Sequence, residues 1–175
     1  MTRGPESFAS LYDDHVWDVY GFFGYRVGSR ELAEDLTQTT FERALRAWAR
    51  FDENRASART WLLAIARNLL IDHYRQDRSS LQEPIEDLGA REPLGVDSSP
   101  EKRLGLDPDL AAALDGLGER ERELIALRFG GDLNGPQIAE ITGLSLANVQ
   151  QILSRTLRRL RVELSEREET RAGAS

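Results

Sequence analysis

Gln151, Ser154, Arg155 and Arg158 recur at spacings of three and four. On a helix turning about 100° per residue they share one face, together with Ala147. Asn148, Gln150, Arg159 and Arg161 flank that face, and Val149, Ile152, Leu153, Thr156, Leu157 and Leu160 occupy the opposite one. Amides and guanidiniums can bond bidentately to adenine and guanine edges, and arginines also suit phosphates. Two readings follow: a DNA-reading helix, or an ordinary amphipathic helix with a solvated polar side, which is common. The preceding residues shift the balance toward the first without deciding it. Asn134 is an N-cap, Pro136 suits a first turn, and Gln137 completes a capping box. Ile138, Ala139 and Ile141 give that helix an apolar side. Gly143 can take the positive φ of a helix end, and Ser145 can cap the next helix. Residues 133–161 thus carry the pattern of a helix-turn-helix.

A second set of interacting side chains lies in TWLLAIARNLLIDHYRQDR, residues 60–78. Trp61, Leu62, Ile65 and Leu69 form an apolar stripe; Arg67, Asn68, Asp72, His73, Arg75, Gln76 and Arg78 form a net basic side. Charge for phosphates beside flat rings for stacking is the mixture that single-stranded nucleic acid uses. The same residues suit a core helix in which Trp61 and Tyr74 simply pack. Periodicity leaves both open.

Bond-making chemistry has no foothold. The chain has 175 residues, no cysteine and two histidines, His15 and His73, which share no metal-ligand spacing. No nucleophile has a base partner, and no glycine-rich phosphate loop occurs. The expectation is no catalytic residue, no cofactor and no metal. With no apolar run of membrane-spanning length and no signal-peptide pattern, a cytoplasmic protein without stable membrane insertion is expected.

The net charge of -7 argues against nucleic acid until its distribution is seen. Residues 79–108 hold 3 Lys and Arg against 7 Asp and Glu, over half of the deficit. Residues 55–78 hold five Arg against two Asp, and residues 133–162 four Arg against one Glu. Two local basic surfaces on an acidic chain imply conditional, partner-assisted DNA binding.

These sets need helices to position them. From Phe8 to Val27 an aromatic-rich pattern places Phe8, Leu11, Tyr12, Val16, Trp17, Val19, Tyr20, Phe23 and Val27 in a core. Gly21 and Gly24 bend that helix or let a neighbour approach. Ser29 caps a helix over 30–50 with Leu32, Leu36, Phe41, Ala44, Leu45 and Trp48 inward. Its outer side, with Glu34, Asp35, Gln38, Glu42 and Arg46, is either solvated or a docking surface. Residues 51–58 form a loop. Pro84, Pro93, Pro100 and Pro108 mark a linker. Asp107-Pro108 starts a short helix, Gly118 breaks it, and Glu119 to Phe129 forms another. Beyond Leu164 a polar tail is expected to fray. The fold class is all-α: two small helical domains, 6–78 and 109–166, joined by a flexible acidic linker, 79–108.

Taken in order, AEDLTQTTFERALRAW (33–48), RTWLLAIARNLLIDHYRQDR (59–78), LGERERELIALRFGGDL (117–133) and PQIAEITGLSLANVQQILSRTLRRLR (136–161) resemble regions 2.2, 2.3–2.4 and 4 of the extracytoplasmic-function sigma factors. The resemblance implies a transcription initiation factor. It implies docking of region 2 on the clamp helices of core RNA polymerase through Asp35, Gln38 and Phe41. It implies capture of the −10 element, with a flipped base, by Asn54, Arg55 and Ser57 and by Arg67, Asn68, Asp72 and Arg75. It implies recognition of the −35 element in promoter DNA by Ser145, Ala147, Asn148, Gln151, Ser154, Arg155, Arg158 and Arg159, with an apolar groove of region 4 on the polymerase flap. An anti-sigma factor is the implied controlling partner. The sequence departs from the family at Asn148, where Thr is common, and at Gln150-Gln151, where a basic residue and Ser are common. Loss of that positive charge weakens phosphate attraction, so the −35 preference does not carry over. A sigma-like decoy for an anti-sigma factor would be expected to lose the basic residues Arg67, Arg75 and Arg78, which are present here.

Overall fold

The computed structural model describes residues 7–80 and 105–174, and the described residues are helices, turns and loops. Most of the linker 79–108 therefore lies outside the described residues. The first half is a three-helix bundle: α1 (Phe8–Arg26), α2 (Arg30–Ala47) and α3 (Ala58–Ser80). The second half contains α4 (Pro108–Asp115), α5 (Glu119–Ile125), α6 (Gly135–Thr142) and α7 (Leu146–Gly173).

The helix starts follow the local chemistry. Side-chain oxygens of Ser7, Ser29, Asp107 and Ser145 each accept a hydrogen bond from an otherwise orphaned backbone N–H in the first turn. Asn134 and Gln137 form a reciprocal capping box, both bonds 3.0 Å long. Gly143 ends α6 with φ 74°, the left-handed conformation that glycine adopts without strain.

Two elements differ from the sequence expectation. The helix expected over Glu119–Phe129 ends as an α-helix at Ile125. A π-helical turn, Ala126–Gly130, follows, closed by Gly131 N–H donating to the Ala126 carbonyl at 2.9 Å. The tail expected to fray after Leu164 instead continues as α7 to Gly173. Leu164 packs on the α4 cluster, and Arg167–Glu163 (3.0 Å) and Arg171–Asp109 (3.5 Å) pair beyond it.

The main core is shared by both halves. Leu11, Val19, Phe22, Phe23, Leu62, Leu63 and Leu70 from the first half join Leu124, Leu127, Leu133, Ile138 and Val149 from the second. A smaller cluster of Ala113, Leu114, Leu117, Ile125 and Leu160 closes α4 onto α5 and α7. The halves meet most closely where α1 crosses the π-helical turn. A Cβ built on Gly21 would lie 2.5 Å from the Gly130 carbonyl oxygen, and one on Gly130 would collide with the Gly21 carbonyl. Of the two roles expected for Gly21, close approach is the one seen.

Candidate nucleic-acid and polymerase interfaces

The helix-turn-helix presents its polar face to solvent. Ser145, Ala147, Asn148, Gln151, Ser154, Arg155, Arg158 and Arg159 are all exposed, while Val149, Thr156 and Leu160 are buried beneath them. These side chains do not play one part. Ser145 caps α7. Arg159 donates to the Gly116 carbonyl at 2.6 Å and pairs with Glu121 at 3.3 Å, so it also braces the α4–α5 junction. Arg155 and Arg158 make no ion pair among the described residues and, with Gln151 and Ser154, form an open polar surface. Leu157, placed inward by the helical wheel, is 40 % exposed. It lines an apolar groove with Leu110, Leu114, Phe129 and Leu164, and Tyr25 of α1 forms one wall.

The residues expected at the −10 element divide into three groups. Asn54 and Arg55 sit on the exposed loop before α3, where the Asp52 carboxylate holds the Asn54 backbone and side-chain amides, each at 3.0 Å. Ser57 caps α3, accepting from Thr60 N–H at 3.2 Å. Asn68, Asp72 and Arg75 share a stripe of α3; Asn68 and Arg75 are exposed, and Asp72 pairs with Arg43 of α2 at 3.4 Å. Arg67 lies about a quarter-turn away. Its Nε donates to Glu123 Oε1 at 2.6 Å, across the seam between the halves. The structure therefore does not bring all seven residues onto one open surface.

The rings of this region take part in the packing. Trp61 packs against Phe51 (centroids 4.8 Å apart) and Trp48 (6.3 Å), and Trp48 stacks on Phe51 at 11°. The Tyr74 hydroxyl donates to the Arg26 carbonyl at 3.2 Å, and burial raises its pKa above the ordinary tyrosine value. Both rings pack while remaining partly exposed, beside the polar stripe of Asn68, Asp72 and Arg75.

On α2, Asp35 and Gln38 are exposed, and Gln38 donates to Glu42 at 3.0 Å. Phe41 is 5 % exposed, edge-on to Tyr12 and Phe8, and contributes to the lining of the groove between α1 and α2. Sequence reasoning missed the residues beside it. Trp17, expected in the core, is 75 % exposed; Tyr12 and Leu45, also placed inward, are 45 % and 56 % exposed. They line or border a groove of about 640 Å³ between α1 and α2, with Val16, Tyr20 and Gln38. The available signal was that apolar residues surround α1 on a stripe too wide for one buried face.

Comparison with known proteins fits this arrangement. The Sigma-70 region 2 family matches residues 11–80, and Sigma-70 region 4 matches residues 113–162. The ECF RNA polymerase sigma factor RpoE of Cereibacter sphaeroides is 35 % identical over 173 residues, covering 93 % of this chain and 89 % of the relative. The chain belongs to the extracytoplasmic-function family of RNA polymerase sigma factors. The sigma factor is also 35 % identical over 159 residues to BldN of Streptomyces coelicolor, covering 89 % of this chain but 59 % of that longer relative. Its fold resembles the Bartonella quintana sigma factor RpoE, solved in complex with the anti-sigma factor NepR, with a TM-score of 0.71, 23 % identity, and 90 % and 96 % of the two chains covered. It also resembles CnrH, solved with the cytosolic domain of CnrY, at a TM-score of 0.62 and 23 % identity, over 91 % and 88 % of the chains. No described helix of this sigma factor is long and apolar enough to cross a membrane.

Proposed function

We propose that this chain directs core RNA polymerase to specific promoters in the cytoplasm and performs no bond chemistry itself. Residues 109–166 read the −35 duplex through Gln151, Ser154, Arg155 and Arg158. Asn148 flanks that face, Ser145 and Ala147 begin the helix beside it, and Arg159 braces it. Residues 6–78 capture the −10 strand through Asn54, Arg55, Asn68 and Arg75, with Ser57 and Asp72 organising the backbone and the stripe. Binding energy spent on unpaired bases favours the melted promoter. The polymerase clamp docks on the α2 face at Asp35 and Gln38, over Phe41, and extends onto the Trp17 groove. The flap occupies the apolar groove at Leu157. Residues 79–108 serve as the tether. An anti-sigma factor controls access to these surfaces; the similar Bartonella quintana sigma factor RpoE was solved in complex with the anti-sigma factor NepR.

The observation that carries this reading is the open face of α7: arginines, an amide and a hydroxyl held to solvent by a doubly capped helix-turn-helix. Run-off transcription with core RNA polymerase over a genomic promoter library tests it. Specific transcripts that depend on the added chain are expected; their absence from every promoter would overturn the proposal.

A further inference from the structure

Acids outnumber bases 30 to 23 in this chain, so an arginine is left without an anion only where the fold keeps acids away. Among the described residues, the arginines whose side chains make no hydrogen bond or ion pair fall in two places. One is the open face of α7, with Arg155, Arg158 and Arg161. The other lies in the first half: Arg75 and Arg78 on α3, Arg55 on the loop before it, Arg46 at the end of α2, and Arg50 in the 3₁₀ turn Trp48–Arg50, all exposed. Arg46 and Arg50 have no part in the sites described above. The nearest acids along the chain are engaged elsewhere. Glu42 stands four residues before Arg46, a spacing that suits an ion pair, yet it accepts from Gln38 at 3.0 Å. Asp52 holds the Asn54 amides.

Arg43, Arg46 and Arg50 follow one another at i, i+3 and i+7, so they form one stripe, about 10 Å long. Arg43 fixes where that stripe lies. Its Nη1 meets Asp72 Oδ2 of α3 at 3.4 Å, with both side chains a little under half exposed. Asp72 falls between Asn68 and Arg75, so the arginines of α2 border the polar stripe of α3. At the other end Arg50 leads into Phe51, whose partly exposed ring packs on Trp48 and Trp61.

We propose that Arg43, Arg46 and Arg50 form a phosphate track for the DNA strand whose bases α3 and the loop before it take. This rests on the reading of those elements as the −10 site. The exposed side of α2 is then divided along its length: Asp35 and Gln38 serve the polymerase, and the arginines of the last turns serve the strand. A planar guanidinium receives phosphate oxygens as readily as carboxylate oxygens, and its five N–H donors let Arg43 keep Asp72 while meeting a phosphate. Phosphate contacts place a strand without reading it. The track therefore adds affinity equally for every −10 sequence, and discrimination stays with α3 and the loop. Each phosphate neutralised releases condensed cations, so the contribution falls as salt rises.

Holoenzyme formed from the full chain and core RNA polymerase is titrated against fluorescent synthetic duplexes that carry a short unpaired segment. One duplex has a mixed sequence there, and the other the −10 sequence of a promoter transcribed in the run-off assay. Arg46→Ala combined with Arg50→Ala should weaken both complexes by the same factor, roughly ten-fold, and lower the slope of log affinity against log salt by about 1.4–1.8. Arg46→Lys combined with Arg50→Lys keeps the charges and should keep the slope. Binding of each variant to core polymerase is measured in parallel. An unchanged slope in the alanine variant overturns the track. So does a loss that follows weaker core binding, or one confined to the promoter −10 sequence. The −10 reading is decided separately: holoenzyme of the unaltered chain that binds both duplexes equally overturns that reading, while the salt slope on the mixed-sequence duplex still decides the track.

Discussion

Single side chains divide by what else they are tied to. Arg155 is exposed and makes no ion pair among the described residues, whereas Arg159 holds the α4–α5 junction. Arg155→Ala should therefore cost about 1–3 kcal/mol in binding a −35 duplex and leave −10 strand capture intact, as read by titration against the two DNAs. Equal loss on both would show that the halves are wrongly assigned. Trp17 is exposed in the structure, so Trp17→Ala should change folding stability by less than about 0.5 kcal/mol. The same substitution should weaken core polymerase binding by about 2 kcal/mol, measured by surface-immobilised polymerase. Tyr74 gives a pH signature. Burial raises its folded pKa above the ordinary value of about 10, so its stabilisation is fully present below that value and is lost as pH rises through the folded one. Tyr25 shifts in the same direction. Denaturant melts from about pH 9 to pH 11 should show an alkaline loss of stability that Tyr74→Phe reduces.

At the scale of elements, the helix-turn-helix was legible because its signals are local. A cap, its capping-box partner and a glycine that accepts positive φ all act within a few residues. The π-helical turn after α5 was not, because LIALRFG reads as continuous helix until α1 presses its Gly21 backbone onto Gly130. The length of α7 was also misread. Polarity after Leu164 suggested fraying, yet Glu and Arg are good helix formers, and Arg171 reaches Asp109 on α4. Because Arg167, Glu163 and Asp109 are part-exposed and Arg171 largely exposed, deleting residues 165–175 should lower stability by only about 1 kcal/mol in thermal melts.

At the scale of the whole molecule, one core spans both halves, so they should unfold together as a single calorimetric transition. Gly21→Ala should split that transition in two by removing the contact that couples them. The division between sequence and fold lies here. The sequence by itself determined the helices, the two basic sets and the family, because periodicity, capping and composition are written in neighbouring residues. Only the tertiary structure decided which surfaces are open. Phe41 went under Tyr12 and Trp17 came out, because α1 and α2 share a limited contact area and one helix cannot bury rings on every side. Arg67 turned to Glu123, 56 residues away, and Arg59 to Asp132, 73 residues away, while Asn68 and Arg75 stayed exposed. A guanidinium takes whichever anion the fold brings within reach, and spacing along the chain says nothing about an anion on another helix.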